Sequence, residues 1–192
     1  IEMLETPAVA CMKKKDASIM VAARLMKDGK ADAVISAGNT GAVACAHFLE
    51  VGWLKGVSRP ALATLIPSAK GMSVLIDIGA NVDCKPKHLY QFAIMGSVYS
   101  EYILKVGKPR VGLLSIGEEE SKGNELTFST MKLLKENPHI NFIGNVEGRD
   151  IVNGRADVIV CDGFLGNVVV KFGESIAEML FRLLKEEIMK KT

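Results

Sequence analysis

Four short loops combine glycine with Asn, Asp or Glu directly after an apolar run, at residues 36–41, 77–81, 117–124 and 162–167. Each apolar run is typical of a buried strand, and a stretch typical of a helix follows each loop. Glycine lets the backbone approach a ligand closely, and helix amino termini present free N–H groups that favour anions. Together the four loops predict a pocket that binds an oxyanion or a phosphate.

The first loop has the residue types of a phosphate cradle. Asn39 and Thr40 can cap the following helix, and Gly38 and Gly41 permit tight backbone geometry. An ordinary strand-to-helix corner explains the same residues, and for this loop alone we favour that interpretation. The loop does not match the Gly-x-x-x-x-Gly-Lys-Ser/Thr pattern of nucleotide-binding loops, and no Gly-x-Gly-x-x-Gly fingerprint opens a helix.

The second loop places Asp77, Asn81 and Asp83 close together after a strand. Two carboxylates can bind a metal or transfer protons. No His or third carboxylate has suitable spacing, so we expect no metal. We expect Asp77 to accept hydrogen bonds from backbone amides, because a carboxylate at the end of a buried strand needs partners.

The third loop carries three consecutive acids, at residues 118–120, which would repel a phosphate placed beside them. We expect these acids to be solvated or to cap the next helix. Lys122, Gly123 and Asn124 are the better candidates in this loop for binding an anion.

The fourth loop contains Asp162 and Asn167, and Lys171 follows four residues after Asn167. Asn167 lies at the predicted start of a helix, so Lys171 lies one turn further along the same face. This spacing places an amide and an ammonium near one ligand.

Two arginines are further candidates for an anion. Arg149, in the turn at residues 144–150, can clamp a phosphate through two parallel hydrogen bonds. A surface ion pair is an equal alternative. Arg59, just before Pro60, has the same two interpretations.

Strands alternate with helices along the chain, which predicts a mostly parallel, three-layer α/β/α sheet. No hairpin signal interrupts the alternation. The predicted strands span residues 32–37, 61–66, 73–78, 110–116, 140–145 and 157–161, and the predicted helices span 16–28, 40–51, 86–106, 125–136 and 168–190.

Composition excludes several classes of protein. Hydrophobic residues make up 48% of 192 residues, which favours one folded α/β domain over residues 1–192. A net charge of +2 does not indicate a nucleic-acid partner. The four cysteines are scattered, so we expect reduced thiols rather than a zinc site or disulfides. No signal peptide or transmembrane run is present, and because the chain begins with Ile we expect a fragment of a longer protein.

Six stretches occur in one order along the chain, beginning with Ser-Ala-Gly-Asn-Thr-Gly-Ala at residues 36–42. The others are 59–61, 77–81, 112–119 with 122–124, 144–150 and 161–164. Taken together they closely resemble the phosphate acyltransferases of bacterial phospholipid synthesis, the PlsX family. Family members usually open with an Asp-Ala-Met-Gly-Gly-Asp loop and extend beyond the last helix of this chain. The resemblance therefore implies that both ends are missing.

The resemblance implies a reaction in which a fatty acyl group passes from acyl carrier protein to inorganic phosphate. It also implies a Rossmann-like fold, similar to phosphotransacetylases and isopropylmalate-type dehydrogenases. A cytoplasmic homodimer that works at the inner membrane surface belongs to the same inference.

Attack of phosphate on a thioester needs no metal, no cofactor and no covalent enzyme intermediate. The reaction needs phosphate held in line and the developing oxyanion stabilised. Asn39, Asn167 and Lys171 are the candidates for direct contact with the phosphate or the thioester oxygen. The candidates for binding around them are Gly38, Thr40, Gly41, Arg59, Asn81, Lys122, Asn124, Arg149 and Asp162.

Two alternatives remain open. One is a short-chain phosphotransacetylase that uses coenzyme A, and the other is a non-catalytic module that binds acyl carrier protein or lipid. The last predicted helix carries an apolar stripe at helical spacing, which favours packing against the sheet or a second subunit. Lysines and arginines flank that stripe, so peripheral contact with anionic lipid is a further hypothesis.

Overall fold

The computed structural model describes residues 1–190, which form two compact units, Ile1–Pro60 and the chain from Ala61 onward. The first unit consists of three helices, α1 (Pro7–Lys13), α2 (Ser18–Lys27) and α3 (Thr40–Glu50). Small side chains let these helices pack closely, and the buried core of this unit contains Cys11, Met20, Ala23, Ala42 and Ala46. The prediction of a single domain over residues 1–192 stays a prediction.

The predicted strand at residues 32–37 is wrong. Residues 31–39 form no regular element, and the side chain of Ile35 is 99% exposed. A strand is stable only when a neighbouring strand takes up its backbone hydrogen bonds, and the described residues of the first unit form helices and loops only. The apolar run at this position therefore has no strand to pair with in its own unit.

The second unit is built around one five-stranded sheet. Its elements are β1 (Ala63–Ser68), β2 (Gly71–Ile76), α4 (Pro86–Tyr102), β3 (Arg110–Leu114), α5 (Glu125–Lys135), β4 (Asn141–Val146), α6 (Asp150–Asn153), β5 (Val158–Val160) and α7 (Gly163–Met189). The strand order is β1-β2-β5-β3-β4, and every pair except β1–β2 is parallel.

The antiparallel pair β1–β2 is a hairpin that the sequence did not signal. Its register pairs Ser68 with Gly71, so the turn consists of Ala69 and Lys70. These residues differ from the Asn-Gly and Asp-Gly pairs by which such turns are recognised. The sheet is otherwise parallel, as the alternation of strands and helices predicted.

Helices cover both faces of this sheet, which confirms the three-layer architecture. On one face α4 and α5 bury Phe92 and Leu134 against the strands. On the other face Ile151 of α6 and Val169 of α7 pack against strand residues such as Ile159. Because alternate residues of a strand point to opposite faces, the apolar run of β5 supplies both cores.

Helix α7 leaves the sheet after its second turn. Every residue from Lys171 to Lys190 is exposed, including Phe172, Leu183 and Ile188. The apolar stripe predicted for this helix is present, and no described residue of the second unit buries it.

The connections of β3 and β5 leave the sheet on opposite sides. Helix α5 follows β3 on one face, whereas α7 follows β5 on the other. The two strands are neighbours, so their carboxyl ends form a topological switch point. In open α/β sheets ligands bind in the crevice at such a point.

At the opposite edge, Arg110 joins the amino ends of β3 and β5. Its backbone N–H and Nε donate to Asp157 Oδ2 at 2.7 and 2.9 Å, and one terminal nitrogen donates to Oδ1 at 2.8 Å. Burial raises the pKa of Asp157, but the hydrogen bonds and charge of Arg110 outweigh it and lower that pKa below its ordinary value of 3.8.

Asp157→Asn is expected to make stability less dependent on pH. Because the pKa of Asp157 is lowered in the folded state, its contribution is complete above pH 3.8 and is lost as the pH falls below that value. We expect the variant to be about 2 kcal/mol less stable at pH 7 and closer to the parent at pH 3. Urea unfolding at both values measures this, with Asp83→Asn as a control at an exposed carboxylate. An equal deficit at both values contradicts the prediction.

Candidate active site

The loops that follow β2, β3, β4 and β5 meet at the carboxyl edge of the sheet, at residues 77–81, 115–124, 147–149 and 161–162. Three of the four loops that the sequence singled out therefore lie at this edge, and the turn at residues 144–150 joins them. The loop at residues 36–41 belongs to the first unit and follows no strand.

A pocket of about 300 Å³ lies in the crevice between β3 and β5. Its walls are mostly apolar, with a few polar groups at the ends of the strands and at the start of α5. The apolar residues are Leu89, Leu114, Ile116, Leu126, Leu165 and Val169, and the polar ones are Ser115, Asn124, Thr127 and Asp162. An apolar cavity with a small number of polar groups is the usual form of a small-molecule site.

Helix α5 begins at this pocket with a reciprocal cap. Asn124 Oδ1 accepts from the N–H of Thr127 at 2.9 Å, and the N–H of Asn124 donates to Thr127 Oγ1 at 2.8 Å. The predicted binding residue Asn124 is thus an N-cap, and it lines the pocket. Lys122, two residues earlier, is exposed and forms no ion pair with any residue in 1–190. The helix dipole favours an anion at this point, and Lys122 lies directly before Gly123 of the pocket wall without lining the pocket itself.

Asp77 organises the loop after β2. Its carboxylate is fully buried and accepts from the N–H groups of Leu62, Gly79, Ala80 and Asn81 at 2.7–3.2 Å. These bonds confirm the predicted role of Asp77. Asn81 Nδ2 also donates to Asp77 Oδ2 at 2.8 Å, so this predicted ligand donor is buried and contributes to the loop itself.

Helix α7 begins directly on this loop. Gly163 donates its N–H to Asn81 O at 2.8 Å, and a Cβ added at Gly166 would lie 1.9 Å from Asp77 O. Only glycine therefore permits the contact at position 166. Asp162 caps the helix, with Oδ1 accepting from the N–H of Leu165 at 2.9 Å.

The cap at Asp162 corrects the predicted helix start. The helix begins at Gly163, so Asn167 lies in the second turn rather than at the amino terminus. The sequence did not indicate this start, because glycine is a weak helix former and occurs at positions 163 and 166. Close packing against the loop at residues 77–81 requires glycine at both positions.

Asn167 and Lys171 remain one turn apart on α7, and both are exposed. Asn167 lies beside the Asp77 loop, since a Cβ added at Gly79 would be 3.8 Å from Asn167 Cβ. Within residues 1–190 the side-chain amide of Asn167 makes no hydrogen bond and the ammonium of Lys171 makes no ion pair. Both groups can therefore bind a ligand.

Arg149 occurs in an ion-pair network. It contacts Glu118 at 3.2 Å and Glu147 at 3.1 Å, and its side chain is 69% exposed. Arg155 also pairs with Glu118, and its hydrogen bond is the main cause that lowers the pKa of that carboxyl. Burial raises the pKa of Asp150, but bonds from Glu147 N–H and Asn153 and the charges of nearby arginines give a net lowering. This arrangement matches the surface ion pair that the sequence left open.

The remaining candidates belong to the first unit. Asn39 caps α3, with Oδ1 accepting from the N–H of Ala42 at 3.1 Å. Its Nδ2 lies 3.2 Å from Glu2 O and 3.4 Å from Met3 O, so its amide is engaged within the unit. Gly38, Thr40 and Gly41 are exposed around it.

Arg59 is also exposed, next to Pro60 at the end of the first unit. The roles of the first-unit candidates in binding stay predictions.

Cys161 also lines the pocket but is a poor candidate for a nucleophile. The thiol is buried, and burial raises its pKa far above the ordinary range of a cysteine. A buried thiol of this kind is inert as a nucleophile. Among the described residues, no group of three His, Cys, Asp or Glu side chains is arranged to hold a metal ion.

Three polar residues at this edge were not among the predicted candidates. Ser115 and Thr127 line the pocket, and Asn145 lies buried beneath the loop at residues 117–124. A signal for Asn145 was present, because an amide inside an apolar strand must find partners when it is buried.

No helix within residues 1–190 is long and apolar enough to cross a membrane.

The second unit is thus an open α/β sheet with helices on both faces and a mostly apolar pocket at its switch point. Proteins of this class bind their ligands at that point. A family model described as "Fatty acid synthesis protein" matches residues 1–192. The chain belongs to this family, which is the PlsX family that the six collinear stretches indicated.

Curated relatives carry the name phosphate acyltransferase. One from Pelotomaculum thermopropionicum is 55% identical over 99% of this chain and 55% of the relative. One from Synechocystis sp. is 55% identical over 96% of this chain and 54% of the relative. The chain thus spans about half the length of the curated relatives it matches.

Solved structures with the same fold include two phosphotransacetylases. The protein from Streptococcus pyogenes has a TM-score of 0.62 and 19% identity, covering 83% of this chain and 55% of that chain. The protein from Staphylococcus aureus has a TM-score of 0.62 and 18% identity, covering 83% and 56%. At this identity the likeness supports the fold.

Proposed function

We propose that this protein transfers a fatty acyl group from acyl carrier protein to inorganic phosphate, giving an acyl phosphate for phospholipid synthesis. Family membership supports acyl transfer to phosphate. The single observation in the structure that supports it most is the pocket between β3 and β5. Its apolar walls suit an acyl chain, and the start of α5 at its rim suits an anion.

The chemistry is the attack of a phosphate oxygen on the carbonyl carbon of a thioester. A C–O bond forms, the C–S bond breaks, and the sulfur leaves as a thiolate that takes up a proton. Phosphate is already an anion, so the site must hold it in line and stabilise the charge that develops on the carbonyl oxygen.

In this proposal Asn167 and Lys171 contact the phosphate or the thioester oxygen, and a contact from Asn39 stays a prediction. The open hydrogen-bonding capacity of Asn167 and Lys171 supports their assignment. The first N–H groups of α5 supply positive charge at the pocket, and the Lys122 ammonium supplies a further charge from the adjoining loop. No cofactor is assigned a role in this reaction.

A direct assay tests the proposal. The purified protein is incubated with a long-chain acyl carrier protein and inorganic phosphate, and acyl phosphate is measured. We expect phosphate-dependent product and release of free carrier protein. Product from acetyl coenzyme A alone would support a short-chain phosphotransacetylase instead. Binding of the acyl carrier protein without product would support a non-catalytic module.

We also propose that α7 mediates contact with a second copy of the chain. Its exposed apolar stripe supports this, because a continuous stripe of seven exposed apolar side chains is unusual on the surface of a monomer. Contact with anionic lipid is the alternative, in which the protein binds the inner face of the cytoplasmic membrane peripherally. The stripe consists of Phe172, Ile176, Met179, Leu180, Leu183, Leu184 and Ile188.

Leu183→Glu is expected to convert a dimer into monomers, because it places a charge in the middle of the stripe. Light scattering measures the mass. Lys185→Glu is the control, since residue 185 lies on the opposite side of the helix. A dimer that persists in Leu183→Glu contradicts the role of α7. Flotation with anionic vesicles tests the alternative, and unchanged vesicle binding in Leu183→Glu argues against α7 as an anchor.

A further inference from the structure

The loop at residues 117–124 is held from below by one buried side chain. Asn145 lies on β4 opposite Leu113 and is 1% exposed. Its Nδ2 donates to Glu119 O at 3.0 Å and to Lys122 O at 3.1 Å. Both neighbouring groups are carbonyls, which fixes the orientation of the amide because only its nitrogen can bond to them.

The two loop carbonyls do not depend on Asn145 alone for hydrogen bonds. Glu119 O also accepts from the N–H of Lys122 at 3.0 Å, and Lys122 O also accepts from Ser115 Oγ at 3.3 Å. Each carbonyl therefore keeps a partner if Asn145 is replaced.

Asn145 itself carries a cost. Its Oδ1 is buried and has no hydrogen-bond partner among the described residues. A buried acceptor without a partner costs about 1–3 kcal/mol. An aliphatic side chain of similar size would remove that cost. The amide is therefore better explained by the geometry that it imposes on the loop than by stability.

The constrained atoms lie next to the wall of the pocket. Lys122 O is the backbone atom of the residue that supplies the ammonium, and Gly123 and Asn124 follow it into the pocket wall. Ser115, the second donor to Lys122 O, lines the same pocket. Fixing this carbonyl restricts the position of Lys122 Cα, from which the side chain extends. It also restricts the backbone that leads into α5.

We propose that Asn145 is a positioning residue that holds the backbone of Lys122 in the geometry for binding phosphate. The inference rests on the proposed function of the pocket. Asn145 does not touch the substrate. It acts through Lys122, with Ser115 as a weaker second tether.

A double-mutant cycle tests this. We expect Asn145→Leu to lower kcat/KM for phosphate about tenfold or more, as a small misplacement of a binding group can do, with unfolding by urea changed little. Lys122→Ala should lower it further, and Asn145→Leu should then have almost no additional effect. Effects that multiply, or parent kinetics in a folded Asn145→Leu protein, overturn the inference. Ser115→Ala is the matched variant and should show a smaller, equally non-additive loss.

Hydrogen exchange gives a readout that does not need activity. In Asn145→Leu the amides of residues 117–123 should exchange faster, while those of β3 and β4 stay protected. Unchanged exchange in the loop overturns the tether. If Asn145→Leu does not fold, Asn145→Ser is used in the same cycle. A parent protein that forms no acyl phosphate refutes the proposed function, whereas an active parent with additive variants refutes only the role of Asn145.

Discussion

Gly166→Ala is expected to destabilise the second unit by about 3 kcal/mol or more, a large penalty for one methyl group. The added Cβ would lie 1.9 Å from Asp77 O, 2.9 Å from Asp77 C and 3.0 Å from Cys161 Sγ. The first two are backbone atoms of a loop that Asp77 itself fixes through hydrogen bonds. The helix or the loop must therefore move, and either movement displaces Asp162 and Asn167 from the carboxyl edge of the sheet.

Gly173→Ala is the matched control on the same helix. A Cβ added at Gly173 meets nothing within 4 Å, so only helix propensity changes. We expect this variant to be about 1 kcal/mol more stable than the parent. Urea unfolding of the two variants should thus shift in opposite directions. A Gly166→Ala protein as stable as Gly173→Ala would mean that α7 does not pack on the Asp77 loop as described.

The parallel core of the second unit was predictable because its strands are short apolar runs that end at turn residues. β3, β5 and residues 73–76 of β2 are buried on both faces, so their sequences carry a strong hydrophobic signal. The three loops after them were predicted for the same reason. A ligand edge follows from the topology once the strands are parallel.

Long-range contacts were not predictable in the same way. The apolar run at residues 32–37 has the composition of a strand, but composition does not provide a partner strand. The start of α7 was placed too late, because the need for glycine at positions 163 and 166 comes from the loop at residues 77–81, more than eighty residues earlier.

Individual roles within the candidate site were harder still. Arg149 and Asn81 have the residue types of ligand donors, yet acidic neighbours engage both of them. Asn167 and Lys171 were identified from their spacing alone, and the structure leaves their polar groups open. Which polar side chain is already satisfied depends on three-dimensional neighbours that the sequence does not display.

Asn167→Ala is expected to lower kcat for acyl phosphate formation about 100-fold, the loss typical for one donor to a developing oxyanion. Asn167 is exposed beside Gly79 at the carboxyl edge, and its amide is not engaged by any residue in 1–190. Stability should change little, because the side chain makes no hydrogen bond that folding relies on.

Lys171→Ala should mainly raise KM for phosphate, since an exposed ammonium attracts the anion before and during the reaction alike.

The decisive variant is Asn167→Asp, which keeps the shape of the side chain but replaces the donor with a negative charge. We expect it to be less active than Asn167→Ala and to bind phosphate more weakly, because the carboxylate repels the anion. Glu178→Ala, exposed further along α7, is the control and should have parent kinetics. Steady-state kinetics with varied phosphate measures both constants. Near-parent turnover in Asn167→Ala and Lys171→Ala together would remove this pair from the site and leave Lys122 and the start of α5 as the groups that bind phosphate.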